Sequence, residues 1–178
     1  DTQKQVKAFE SLVMRILSDY DMYYVLTRCE TKTMVLSETA QFFFFNILLD
    51  LLIRDFFLES AKILENRITF GKKNLSIQHF LNMNCWTEKQ TARLKEYFQQ
   101  LSIFYDCIKC ARDKIISHND LSTYNEETLV NLGGFEEGLD AKFVESLEEF
   151  YNYLHEITFG EIWGRFNPSM EVGGIHDL

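Results

Sequence analysis

Between Phe42 and Leu58 the chain sets Phe42 through Phe45, Ile47 through Leu49 and Leu51 through Ile53, a run that is apolar nearly all round on a helical projection. A helix of that kind is expected where other helices surround it. Asn46, Asp50, Arg54 and Asp55 interrupt the run, which excludes a membrane span. The requirement that follows is a set of partner helices, and the remaining sequence supplies them. Val6, Phe9, Val13, Ile16, Leu17, Tyr20 and Tyr24 recur at three- and four-residue steps and predict a first helix from Gln3 to about Arg28. The central apolar helix runs from Ser37, an N-cap with Glu38 in the first turn, to about Asn66. A loop at 67–74 and a short helix from Ser76 to Met83 follow.

Thr87-Glu88-Lys89-Gln90 matches a capping box and opens a long helix to Ser117. Its apolar stripe is Leu94, Phe98, Leu101, Tyr105, Ile108, Ile115 and Ile116. Asp140 is the expected N-cap of the last helix, whose apolar face is Phe143, Leu147, Phe150, Leu154 and Ile157. Glu145, Glu148 and Glu149 form its solvated face. Glycines at 160, 164, 173 and 174 and the single proline, Pro168, mark an irregular tail over 160–178. The expected architecture is all-α: one domain over 1–178, a four- to five-helix up-down bundle with an irregular C-terminal tail.

Within the long helix, Arg112 falls near the middle of the apolar arc. A guanidinium costs several kcal/mol to desolvate there unless something pairs with it. Either Arg112 has a buried carboxylate partner, or that face opens onto a cleft or a second subunit. Asn46, Asp50 and Arg54 make a thin polar stripe at four-residue spacing. Either Asp50 pairs with Arg54 in solvent, or Asp50 or Asn46 reaches Arg112. His118, the side chain best suited to proton transfer near neutral pH, follows Arg112 by six residues, and Asp113 and Asp120 flank the pair.

Other chemistry is thinly represented. Cys107 and Cys110 form a C-x-x-C deep in a helix, away from its apolar stripe, and read as two ordinary cysteines. His79 with Cys85, and His155 with Glu156, lack a third ligand at metal spacing, so no metal centre and no cofactor are expected. Gly133-Gly134 is too short for a phosphate loop. The net charge of −9 argues against sequence-blind binding to nucleic acid, yet 121–150 carries −7 of it and leaves the remainder near neutral. Four cysteines without framework spacing, and no leader pattern, fit a reducing cytosol.

The segment Arg112-Asp113-Lys114-Ile115-Ile116-Ser117-His118-Asn119-Asp120, with Thr123 shortly after, resembles the HEPN superfamily. The nearer likeness is to its abortive-infection branch, in which R-D-K-x-x-x-H-x-D closes a long helix preceded by an aromatic, apolar one. The likeness is sharp over about 111–123 and loose over about 37–117. It implies a homodimeric helical bundle and a metal-independent endoribonuclease of phage defence or a toxin–antitoxin system. His118 would be the acid–base group and Arg112 the phosphate-holding one, with Asp113 and Asp120 in support. RNA would be the substrate and DNA would not. An antitoxin or other defence partner is implied without being identified. Asp113 stands where many nuclease members carry Asn, and Asp120 where a toxin subgroup carries Tyr. The alternative is therefore a catalytically inactive dimerisation or interaction module.

Overall fold

The apolar spacing becomes helix wherever the chain also supplies starts and stops, and the computed structural model, which describes residues 2–28, 42–111 and 136–164, has five helices among them. α1 is Thr2–Arg28, α2 Phe42–Leu64, α3 Ile77–Leu81, α4 Glu88–Ala111 and α5 Leu139–Phe159. A two-stranded antiparallel hairpin, β1 Ile68–Thr69 and β2 Lys72–Lys73, joins α2 to α3. The fold is an all-α bundle. α1 packs on α2 and α5, and α4 packs on α5 and α2, so the four long helices close a ring.

Contacts fix their directions. Tyr20 meets Phe56, Phe56 meets Phe104 and Phe143, and Tyr97 meets Phe150. Neighbours in the ring therefore run antiparallel, up-down-up-down. One pole carries the ends of α1 and α4 and the starts of α2 and α5. The other carries Thr2, Leu64, Glu88 and Phe159.

The α1 spacing delivers what it promises: Val6, Phe9, Val13, Ile16 and Leu17 are fully buried. On α4 the buried line is Leu94, Tyr97, Leu101, Phe104 and Ile108, while Phe98 and Tyr105 sit at its edge, partly buried. The face is thus rotated by about 40° from the expected stripe on a 100°-per-residue helix. Phe104 and Phe143 stack at 4.4 Å, with Phe56 edge-on to Phe143 at 6.1 Å. Truncating a buried phenylalanine of this kind to alanine typically costs about 3–5 kcal/mol.

Helix boundaries follow local chemistry. At Thr87 the capping box closes in both directions. The Thr87 N–H donates to Gln90 Oε1 at 2.9 Å, and the Gln90 N–H to Thr87 Oγ1 at 3.3 Å. The start of α5 corrects the expectation for Asp140: the cap is Gly138, with φ of 82°, and Asp140 lies in the first turn, where a carboxylate still complements the helix dipole. Gly160, with φ of 77°, ends the helix, its N–H donating to the Glu156 carbonyl at 2.8 Å. The next residues, irregular in backbone as expected, are nevertheless anchored. Trp163 is buried edge-on to Tyr151 at 4.8 Å, and its indole N–H donates to Glu10 Oε1 at 2.9 Å.

The hairpin is a departure from the loop expected over 67–74. Its two-residue turn is Phe70-Gly71, with φ of 49° and 75°, the positive pair of a type I′ turn. Asn74 pins the base, donating its side-chain amide to the Asn66 carbonyl at 2.9 Å and to Thr69 Oγ1 at 2.7 Å. Phe70 is a bulky side chain held in the left-handed region and fully exposed at 101%. The conformation costs about 1–2 kcal/mol, and no packing offsets it. Phe70→Asn, which suits the turn, is expected to stabilise the fold by about 1 kcal/mol, raising Tm by about 2–4 °C in a thermal melt. An unchanged or lower Tm would refute the strain.

Candidate functional site

Ala111 ends α4 at the same pole at which α2 begins, so the chain enters the Arg112–His118 segment from that end of the bundle. Arg112, Asp113, His118 and Asp120 lie outside the described residues, as do the expected cap Ser37 and the tail beyond 164. What the structure does define is the surface of the pole that leads to them.

That surface overturns the expectation of a central helix covered all round. α2 buries Phe45, Leu52, Phe56, Glu59, Ser60 and Ile63. On its other side Phe43 is 75% exposed, Phe44 68% and Leu51 58%, with Ile47 also exposed. Steps of three and four residues from 44 to 47 to 51 line these up on one face. α1 exposes Met22 and Val25 at the same end. The four α2 side chains present on the order of 400 Å² of apolar surface, taking about 150–200 Å² per large side chain. That lies within the range of an ordinary monomer's largest patch, a size that is often functional. Asp50 and Arg54 border the face as an exposed pair, Arg54 Nε to Asp50 Oδ2 at 2.8 Å. Among the described residues, Asp50 therefore takes the solvent-facing role at α2.

Charged chemistry gathers where α1 crosses α2. Arg15 grips Asp55 with two bonds, Nε to Oδ2 at 2.7 Å and Nη2 to Oδ1 at 2.8 Å. Glu59, nearly buried, takes Lys62 at 2.7 Å and stands 3.6 Å from Arg15. Asp19 faces Asp55 as a carboxyl–carboxylate contact, and its Oδ2 is buried without a partner. A groove of about 380 Å³ runs past Asp19 and Asp55 between Leu48, Leu51, Leu52 and Leu58. Burial, then the hydrogen bond and charge of Asp55, push the Asp19 pKa up to about 7, against the opposing pull of Arg15.

The sign of the linkage follows. The folded state binds the Asp19 proton more tightly than the unfolded chain does, so the contribution is fully present below about pH 4 and is lost as pH rises through 7. Asp19→Asn should therefore stabilise the protein at pH 8, by about 1–2 kcal/mol after allowance for solvent screening, with the gain vanishing near pH 4. Thermal melts across that range test it. A pH-independent difference would dissociate Asp19 from the effect.

Two of the histidines noted from the sequence have structural partners. His79 Nε2 meets Gln5 Oε1 at 3.2 Å, and His155 Nδ1 meets the Glu161 carbonyl at 2.9 Å. Burial, then the charges of Arg67 and Lys73, hold His79 below its ordinary pKa. Cys107 is half-buried and Cys85 exposed, both as free thiols. No described helix is long and apolar enough to cross a membrane. The Asp19–Asp55–Glu59 cluster escapes sequence reading because its members lie on two helices. A search against protein-family models, curated proteins and solved structures finds no match to this chain.

Proposed function

We propose that this chain is a metal-independent endoribonuclease of the HEPN type, acting as a homodimer in the cytoplasm in phage defence or a toxin–antitoxin system. The observation that carries the reading is the exposed Phe43–Phe44–Ile47–Leu51 face at the pole from which the chain runs into Arg112–His118. A second copy covering it would bring two Arg–His segments to one end of a joint assembly. The fold class fits as well.

The chemistry requires little more than these residue types. The ribose 2′-hydroxyl attacks its own neighbouring phosphate, so the reaction is intramolecular, and positioning replaces much of what a metal would supply. His118 moves the proton at the 2′-oxygen or the leaving 5′-oxygen, and Arg112 neutralises the charge developing on the phosphate. The products are a 2′,3′-cyclic phosphate and a 5′-hydroxyl, and DNA, lacking the nucleophile, is inert. The test is RNA cleavage in EDTA by the intact protein and by His118→Ala, with the product ends identified.

The second reading is a non-catalytic dimerisation module. Asp113, a carboxylate beside the expected phosphate site, favours it. It shares the dimer and differs in leaving RNA uncut.

A further inference from the structure

From Asn66 to Thr87 this acidic chain contains no Asp or Glu, while Arg67, Lys72 and Lys73 fall within the hairpin or directly before it. The hairpin projects from the pole opposite Ala111, with α2, about 35 Å long, between them. Its tip is Phe70, in contact with nothing, and Ile68, Lys72 and Lys73 are exposed beside it. Arg67 Nε is buried with no partner, and after burial itself the charges of Arg67 and Lys73 help hold His79 below its ordinary pKa. Glu65, the nearest acid in sequence, and Glu59 line the groove at the base of the hairpin together with Lys62 and Lys73.

We propose that this hairpin is a binding tip for single-stranded nucleic acid, Phe70 stacking on an unpaired base while Lys72 and Lys73 hold the flanking phosphates. A lone fully exposed ring suits a base, since every base offers a π-face and a single strand leaves it available. The two lysines supply the electrostatic part, which is independent of sequence. A strand also fits the charge distribution better than an anionic membrane does. A thread touches the basic tip alone, whereas a flat negative surface also meets the acidic remainder of the molecule within a few Debye lengths. The strained turn serves the same end: it holds the ring outward at a position where Asn would sit more comfortably. The site is independent of the ribonuclease reading, because it is remote from Ala111 and its function is retention, not cleavage.

The probe is a fluorescein-labelled 2′-O-methyl uridine 20-mer, which cannot be cut, titrated with the full chain in 50 mM salt and followed by anisotropy. Phe70→Asn should weaken binding about ten-fold while the fold, by circular dichroism, stays intact. Lys72→Gln with Lys73→Gln should weaken it further and flatten the slope of log K against log salt by about 1.4, at roughly 0.7 per phosphate contact. Phe70→Trp should restore binding, with tryptophan fluorescence quenched on saturation. Equal affinity of Phe70→Asn and the native chain, or no binding by the native chain at 100 µM, would overturn the proposal. So would a Phe70-dependent association with vesicles of 30% phosphatidylserine alongside unchanged oligonucleotide binding, which would assign the tip to membranes. RNA cleavage without hairpin binding, or hairpin binding without cleavage, tells the two proposals apart.

Discussion

His118→Ala is expected to slow RNA cleavage in EDTA by about 10²–10⁴-fold, the usual worth of a positioned general acid–base group. Single-turnover rates on a fluorescent single-stranded RNA give the comparison, with a 2′,3′-cyclic phosphate on the upstream product of the native enzyme. Arg112→Ala should cost a comparable 10²–10³-fold, because the charge on the phosphate then develops without its counter-charge. The two losses should not multiply in the double variant, since both residues act on one transition state. Equal rates for the native chain and His118→Ala would end the ribonuclease reading. A stability loss of about 3–5 kcal/mol in Arg112→Ala, with no cleavage by the native protein, would instead assign Arg112 to a buried ion pair. Under this reading the rate should not change on adding metal, because the attacking 2′-hydroxyl is held beside its own phosphate while His118 moves the proton and Arg112 meets the charge.

The bundle was readable because helix start signals and apolar spacing agree along most of the chain. Thr87 and Gln90 announce α4, and Val6 through Leu17 announce the buried face of α1. Features that depend on contacts between distant segments were not readable in the same way. The hairpin hides because Phe-Gly lacks the Asn-Gly or Asp-Gly signature of its turn type. Trp163 lies among glycines that signal irregular chain, and only Tyr151 and Glu10 reveal it as an anchor. Periodicity on α2 reports that both faces are apolar and says nothing of what covers each, so Phe43 and Leu51 were expected inside and stand outside. For the candidate site the order is reversed. Arg112 and His118 are conspicuous as a local motif, while their partners are a matter of tertiary structure beyond the described residues.

Leu51→Glu is expected to convert the protein from a dimer of about 42 kDa, twice the 21.1 kDa chain, to a monomer in sedimentation equilibrium. Leu51 is 58% exposed, so the substitution leaves the monomer's core untouched and its thermal melt close to native at low concentration. At a twofold interface each substitution occurs twice, and two buried carboxylates face one patch. Taking about 2 kcal/mol for each, a typical hot-spot value, the dissociation constant rises by about 10³-fold. A native chain that stays monomeric at 100 µM, or a Leu51→Glu variant that stays dimeric, would remove this face from the assembly. Cleavage that survives dissociation would go further and show that one Arg112–His118 segment suffices.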